Sequence, residues 1–309
     1  MLMPPAKPTV YIIIPAYNVE QCIKRSVMSV LDQKEIDIKI LIVNHGSSDG
    51  TSDVIATNFR QENRVIYLPL KRIPQEKPSA SRPLNAGYAY IKKNYLLDDS
   101  CWIMRLDADD FLVDQYIISH SLQLGKYNKI ICGILTFFDE KTYVSTLYGT
   151  KIKFRTKQGM LKKGAYAAAH PAIFVRGDFL NSLPLFPVVY DENITYGEDL
   201  DVTLRLFRHG FDFDCEFLEK SVLFKSLNEF SLTSITSKKN QWKDIYYVFK
   251  KNQSISKLLL VYFFCDLLLR NKKQRFYFLR KIFGLPANKV GDIISISSKF
   301  VLKRLQEIE

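Results

Sequence analysis

Three short stretches of this 309-residue chain hold the side chains best suited to chemistry. Arg105-Leu-Asp107-Ala-Asp109-Asp110 sets three carboxylates within four positions. Carboxylates this close repel one another unless a cation lies among them. Hard oxygen donors suit Mg2+ or Mn2+, ions that normally also hold phosphate oxygens. The alternative is a solvated turn that caps a helix expected over 114–124. Gly197-Glu198-Asp199-Leu-Asp201 is the second acidic stretch. A carboxylate there can take the proton of an attacking hydroxyl, or it can simply favour the N-terminus of a helix expected over 197–209 through the helix dipole. The third stretch, Asn44-His45-Gly-Ser-Ser-Asp49, is a polar turn bearing a glycine.

Such groups need a scaffold that brings them together. Residues 10–14, 38–43, 65–68 and 101–106 are apolar runs of strand length. Between them, 20–31, 51–59 and 81–93 repeat apolar residues at helical spacing. Strands that are apolar throughout and alternate with helices predict an α/β fold, with a mostly parallel sheet covered on both faces. Ligands in such sheets bind at the carboxyl ends of the strands. Pro15-Ala16-Tyr17-Asn18, Asn44–Asp49 and Asp107–Asp110 all fall at those ends. Between about 139 and 170 the pattern weakens, predicting irregular loops or short strands.

Composition narrows the possibilities. A hydrophobic content of 47% belongs to a folded globular chain. Five scattered cysteines form neither a zinc pattern nor a disulfide framework. The N-terminus lacks the features of a secretory signal. Both point to the cytoplasm. The net charge of +12 is concentrated in residues 238–309, where 16 Lys and Arg face 5 Asp and Glu, a net of +11. Nucleic-acid binding is disfavoured, because the charge is confined to an apolar tail without a recognition motif. The longest apolar run there, residues 258–269, contains Asp266 and falls short of the roughly 20 residues a membrane span requires. The tail therefore predicts a basic amphipathic helical region, lying on the inner face of an anionic membrane or packed as a helical subdomain.

Read in order, YIIIPAYNVE, ILIVNHGSSDGT, RPLNAG, MRLDADDF, HPAIFVRGDFL and YGEDLDVTLRLFRHG resemble glycosyltransferase family 2 from about residue 10 to residue 234. The resemblance implies a GT-A fold, Rossmann-like, over a catalytic domain of residues 1–237, with residues 238–309 outside it. It implies an inverting enzyme that uses a nucleoside-diphosphate sugar, expected to be a UDP-sugar. By the same resemblance Pro15, Ala16 and Tyr17 pack on the nucleotide, while Asn44 and Asn85 lie near the donor. By it Asp109, with Asp107, holds a divalent ion, Mn2+ or Mg2+, and Asp107 faces the ribose or donor sugar. Asp199 is the general base, with Glu198 beside it.

Arg105 can reach donor phosphates or form a surface ion pair. His170 can contact donor or acceptor, or serve structurally. Relatives often carry a histidine after the base, where this chain has Phe224-Lys-Ser-Leu-Asn228; Asn228 or water could take that position. Relatives also have paired aspartates where Asn44-His45 stands here. The implied reaction extends a saccharide or lipid-linked oligosaccharide of a surface polysaccharide. The competing class is a non-catalytic sugar-nucleotide-binding or scaffold subunit.

Overall fold

The computed structural model describes residues 7–73, 79–139, 144–148, 172–208, 215–227, 238–251, 295–296, 304 and 306–308. The N-terminal half alternates strands and helices: β1 Thr9–Ala16, α1 Ile23–Leu31, β2 Asp37–Asn44, α2 Thr51–Phe59, β3 Val65–Pro69, α3 Ser81–Asn94 and β4 Cys101–Arg105. β1 lies between β2 and β4, all parallel, with Ile12 opposite both Ile40 and Met104. β3 continues the parallel set beside β2.

The strands are apolar throughout because each face of the sheet is covered. Ile12, Ile14, Ile40, Ile42 and Met104 pack with Ile23, Val27 and Val30 of α1 and Phe59 of α2. Tyr11, Ile13, Leu41, Val43 and Ile103 pack on the opposite face with Leu84, Tyr88 and Ile91 of α3. Each such aliphatic side chain contributes about 1.5–3 kcal/mol. α3 lies so close to the sheet that a Cβ on Gly87 would stand 2.6 Å from Ile13 Cγ2.

Beyond β4 the sheet changes character. It continues through β5 Phe111–Leu112, α4 Ile117–Leu124, β6 Ile130–Asp139, β7 Val144–Tyr148, β8 Ile173–Arg176, α5 Gly177–Ser182, α6 Glu198–Arg208, β9 Cys215–Leu227, α7 Lys238–Lys251 and β10 Ser295–Ile296. β8 is antiparallel to both β4 and β6, and β9 runs parallel to β6. The parallel sheet expected from the sequence is therefore its N-terminal half. The mixed half depends on long-range pairing, such as Phe111 with Phe224, that local periodicity does not report.

The expected helix over 20–31 begins only at Ile23, because residues 19–22 form a turn closed by Cys22 N–H on Val19 O at 3.1 Å. In the tail, Ile245 and Val248 of α7 are buried, as are Arg304 and Ile308. Arg304 bonds Asp32 and the Leu112 carbonyl, at 2.7 and 3.2 Å. Among the described residues no helix is long and apolar enough to cross a membrane. The apolar run 258–269, most of 139–170, His170 and Asn228 lie outside the described residues.

Candidate active site

The three loops singled out by the sequence meet at the carboxyl ends of β1, β2 and β4. Ala16 stands opposite Asn44, and Ile13 opposite Arg105. The loops after β1 and β2 are stitched together. Asn18 N–H donates to Ser47 Oγ at 3.0 Å, Ser48 N–H to Asn18 Oδ1 at 2.9 Å, and Gly50 N–H to Glu20 Oε2 at 2.6 Å. Asn18 adopts φ 52°, a left-handed conformation that asparagine tolerates better than most residues. Tyr17 carries Arg72 over its ring, 4.6 Å from the centroid. His45 is buried, with Nε2 3.4 Å from Arg82 Nη1. Two guanidinium groups thus flank the turn, a setting suited to an anionic ligand.

Asn44 is turned inward. Its amide donates to Ser52 Oγ and Tyr67 Oη, each at 2.9 Å, and its carbonyl oxygen accepts from Ser47 N–H and Oγ–H at 3.1 and 2.7 Å. Two donors and two acceptor positions are its full capacity. Asn85, likewise buried, donates to the Tyr190 carbonyl and Glu192 Oε1 and accepts from Tyr190 N–H, so it braces residues 190–192.

The acidic stretches converge through a cation. Arg105 Nε donates to Asp107 Oδ1 at 2.7 Å and Nη1 to Glu198 Oε1 at 3.2 Å, 93 residues away. Its side chain is only 9% exposed, so the surface ion pair considered from the sequence is instead a buried bridge between the two motifs. Lys225, which the sequence reading did not single out, lies 3.4 Å from Asp107 Oδ2 and 3.5 Å from Asp110 Oδ2. Asp110 is fully buried and accepts Ser226 N–H at 3.0 Å. The sequence offered little hint of Lys225, because β9 also carries Glu216, Glu219 and Lys220 and a further lysine does not stand out there.

Electrostatics sorts these carboxylates into two kinds. Burial pushes Asp107 up, but Arg105 and Lys225 together outweigh it and hold its pKa at about 2. Burial raises Glu198 and Asp199, with Arg105 opposing in each. Burial also raises Asp110 well above the usual carboxylate range, against the pull of Lys225. Lys225 is itself raised: burial works against its charge, but Asp110, Asp107 and Asp109 more than compensate. Asp107 is therefore a fixed anion, whereas Asp199 is a carboxylate made more basic by its surroundings, as proton acceptance requires. Asp199 sits at the start of α6, where its Oδ1 accepts Leu200 N–H at 2.8 Å.

Among the described residues no three His, Cys, Asp or Glu side chains converge as a ready-made metal cage. Asp107 already receives Arg105 and Lys225, while Asp109 stands beside it at the strand end. This donor set fits an ion of the Mg2+ or Mn2+ type, which is commonly held by one or two carboxylates with substrate phosphates and water completing the shell.

A mostly parallel sheet ending in an Asp-x-Asp turn, with a partly buried carboxylate pair bridged to it by Arg105, defines a GT-A glycosyltransferase fold. The S. aureus TarS 1–349 structure in complex with UDP-GlcNAc superimposes with a TM-score of 0.59 at 13% identity, covering 88% of this chain and 74% of that one. The mannosyltransferase PcManGT from Pyrobaculum calidifontis, in complex with GDP-Man and Mn2+, gives 0.55 at 10% identity, over 98% and 86%. The model for "Glycosyl transferase family 2" matches residues 11–182, and the chain belongs to that family. The Bacillus subtilis uncharacterized glycosyltransferase EpsJ is 25% identical over 237 residues, 75% of this chain and 64% of its own length. The Pasteurella multocida chondroitin synthase is 35% identical over 107 residues, 34% of this chain and 10% of its own. This chain thus spans less than two thirds of those two relatives.

Proposed function

We propose that this glycosyltransferase transfers a sugar, with inversion, from a nucleoside-diphosphate sugar to a hydroxyl of a saccharide or lipid-linked oligosaccharide in surface polysaccharide synthesis. A UDP-sugar is the expected donor. The carrying observation is the chain Asp107–Arg105–Glu198 around the buried Arg105, which joins the Asp-x-Asp turn to the start of α6 and brings Asp199 within electrostatic reach of Arg105 and Asp107. The acceptor oxygen bonds the anomeric carbon, its proton passes to Asp199, and the bond from that carbon to the diphosphate breaks, inverting the centre. Glu198 and Arg105 hold the helix start in place. A divalent ion held by Asp109 and Asp107 would neutralise charge on the departing diphosphate. Complexes of TarS with UDP-GlcNAc and of PcManGT with GDP-Man and Mn2+ support the donor class.

The test is thermal stabilisation by a panel of nucleotide sugars with Mn2+. Binding at 100 times Kd is worth about 2.7 kcal/mol, which should raise Tm by several degrees for the cognate donor. If no nucleotide sugar shifts Tm, the reading is wrong.

We also propose that the protein works in the cytoplasm, with the basic tail resting on the inner membrane surface. Vesicles containing about 30% anionic lipid should sediment the full chain, and raising salt from 0.1 M to about 1 M should release it, because surface attraction is screened within a Debye length of about 3 Å at 1 M. Equal recovery with neutral and anionic vesicles would count against it.

A further inference from the structure

The segment that leads into Asp199 is gripped from both sides. α3 and the turn before it hold it through Asn85 and through Ser79 Oγ, which donates to the Ile194 carbonyl at 3.0 Å. The other grip comes from α7, in the basic tail and outside the span matched by the family model. One oxygen of Asp244, Oδ2, accepts Thr195 N–H and Tyr196 N–H, each at 3.1 Å, together with the Thr195 hydroxyl. About two turns further along, Lys251 Nζ lies 2.5 Å from Asp191 Oδ2 and 3.4 Å from Asp201, a residue inside α6 that is fully buried. Between these two points Gly197 takes φ +83°, and a Cβ there would stand 2.7 Å from Ile245 Cδ1. Glu198 and Asp199 follow directly.

We propose that α7 is a positioning element of the reaction: Asp244 and Lys251 fix where α6 begins and hence where it presents Asp199. The inference rests on Asp199 being the proton acceptor. Two observations carry it. Asp244 spends an anionic oxygen on backbone donors immediately before Gly197, and Lys251 ties both ends of the entry, Asp191 before the turn and Asp201 after it. Bonds of this kind to a charged group are stronger than neutral ones. A misplacement of about 1 Å at a reacting group can cost about 100-fold in rate. The tail is on this account part of the catalytic architecture, whatever surface its later residues meet.

The experiment uses the full chain and the donor identified by thermal shift, comparing Asp244→Ala, Asp244→Asn and Lys251→Met with the parent and with Asp199→Asn. Asp244→Ala should lower kcat about 10- to 100-fold with KM for the donor within about twofold, since Asp244 bonds Thr195 and Tyr196 and none of the residues proposed to hold the donor. Amides of 194–201 should exchange with deuterium about tenfold faster, with peptides of β1, β2 and β4 unchanged. Asp244→Asn keeps an acceptor oxygen and should recover most of kcat. Lys251→Met should resemble Asp244→Ala.

Asp244→Ala with unchanged kcat, while Asp199→Asn is inactive, would overturn the proposal and leave the base assignment standing. So would faster exchange spread evenly through the sheet, because the helix would then be general support. Wild-type turnover by Asp199→Asn would sink the base assignment instead, whatever the Asp244 variants did.

Discussion

Asp199→Asn is expected to lower kcat by about 10²- to 10⁴-fold, the usual contribution of a positioned general base, while donor affinity stays within about threefold. The substitution preserves shape and keeps an oxygen able to accept Leu200 N–H, so the start of α6 should hold. It removes the one property the proposed mechanism asks of this residue, a carboxylate that can receive a proton. The pH dependence follows from the same environment. Burial lifts Asp199 above its ordinary value of 3.8, and Arg105 only partly offsets this. The parent kcat should therefore rise with pH through an acid limb lying above the ordinary aspartate range, because the deprotonated form is the active one. Glu198 is also raised by burial and adjoins it, so the limb belongs to the pair. Initial rates across pH 4–8 would measure it. In Asp199→Asn the residual rate should lose that limb. Retention of more than about half of kcat would remove Asp199 from its proposed role.

Arg105→Met should have the largest effect on stability. The substitution roughly conserves volume but strips two partly buried carboxylates, Asp107 and Glu198, of their shared buried cation. Breaking a buried pair from one side costs about 3–5 kcal/mol, since an uncompensated charge is left behind. At about 2–4 °C per kcal/mol for a chain of this size, Tm at pH 7 should fall by roughly 10 °C.

The pH dependence has a definite sign. Asp107 titrates at about 2 in the folded protein against an ordinary 3.8. Its ionised form is thus favoured by folding, with a contribution of about 2 kcal/mol fully present above pH ~4 and lost as pH falls through about 2. Without Arg105 most of that contribution disappears, although Lys225 still faces Asp107. The stability gap between parent and variant should be widest near neutrality and narrow as pH drops from about 4 towards 2. Glu198 acts in the same direction, because losing Arg105 removes the group that opposes its upward shift. Urea midpoints at pH 7 and pH 3 give the comparison. A gap below about 1 kcal/mol, or one that does not change with pH, would show that the bridge carries little of the fold.

Much of this molecule could be read before its structure. The apolar runs 10–14, 38–43 and 65–68 fall within β1, β2 and β3, the run 101–106 covers β4 and one residue beyond it, and the helices between them begin within a few residues of expectation. Their signal is local, set by the period of burial along a strand or helix. The same holds for the placement of the polar turns, since chain reversals at strand ends dictate where a parallel sheet is open to ligand. The second half of the sheet was opaque. β6, β8 and β9 pair across intervals that no short window samples, and the pairing Phe111–Phe224 joins residues more than a hundred positions apart.

The sequence by itself determined which groups are available: three carboxylates after β4, two more at the start of α6, and an Asn44-His45 pair in place of aspartates. Only the tertiary structure decided how each is employed. Asn44, expected near the donor, uses its donors and acceptors on Ser52, Tyr67 and Ser47. Asn85 braces the loop before Asp199 rather than facing outward. Arg105 and Lys225 neutralise the acidic turn from β4 and from β9, the latter 118 residues distant. The physical reason is valence. A side chain has a fixed number of donors, acceptors or charges, which its residue type specifies, but the neighbours that fill them are those the fold brings within about 3 Å. That assignment is made by packing, and no property of the residue alone anticipates it.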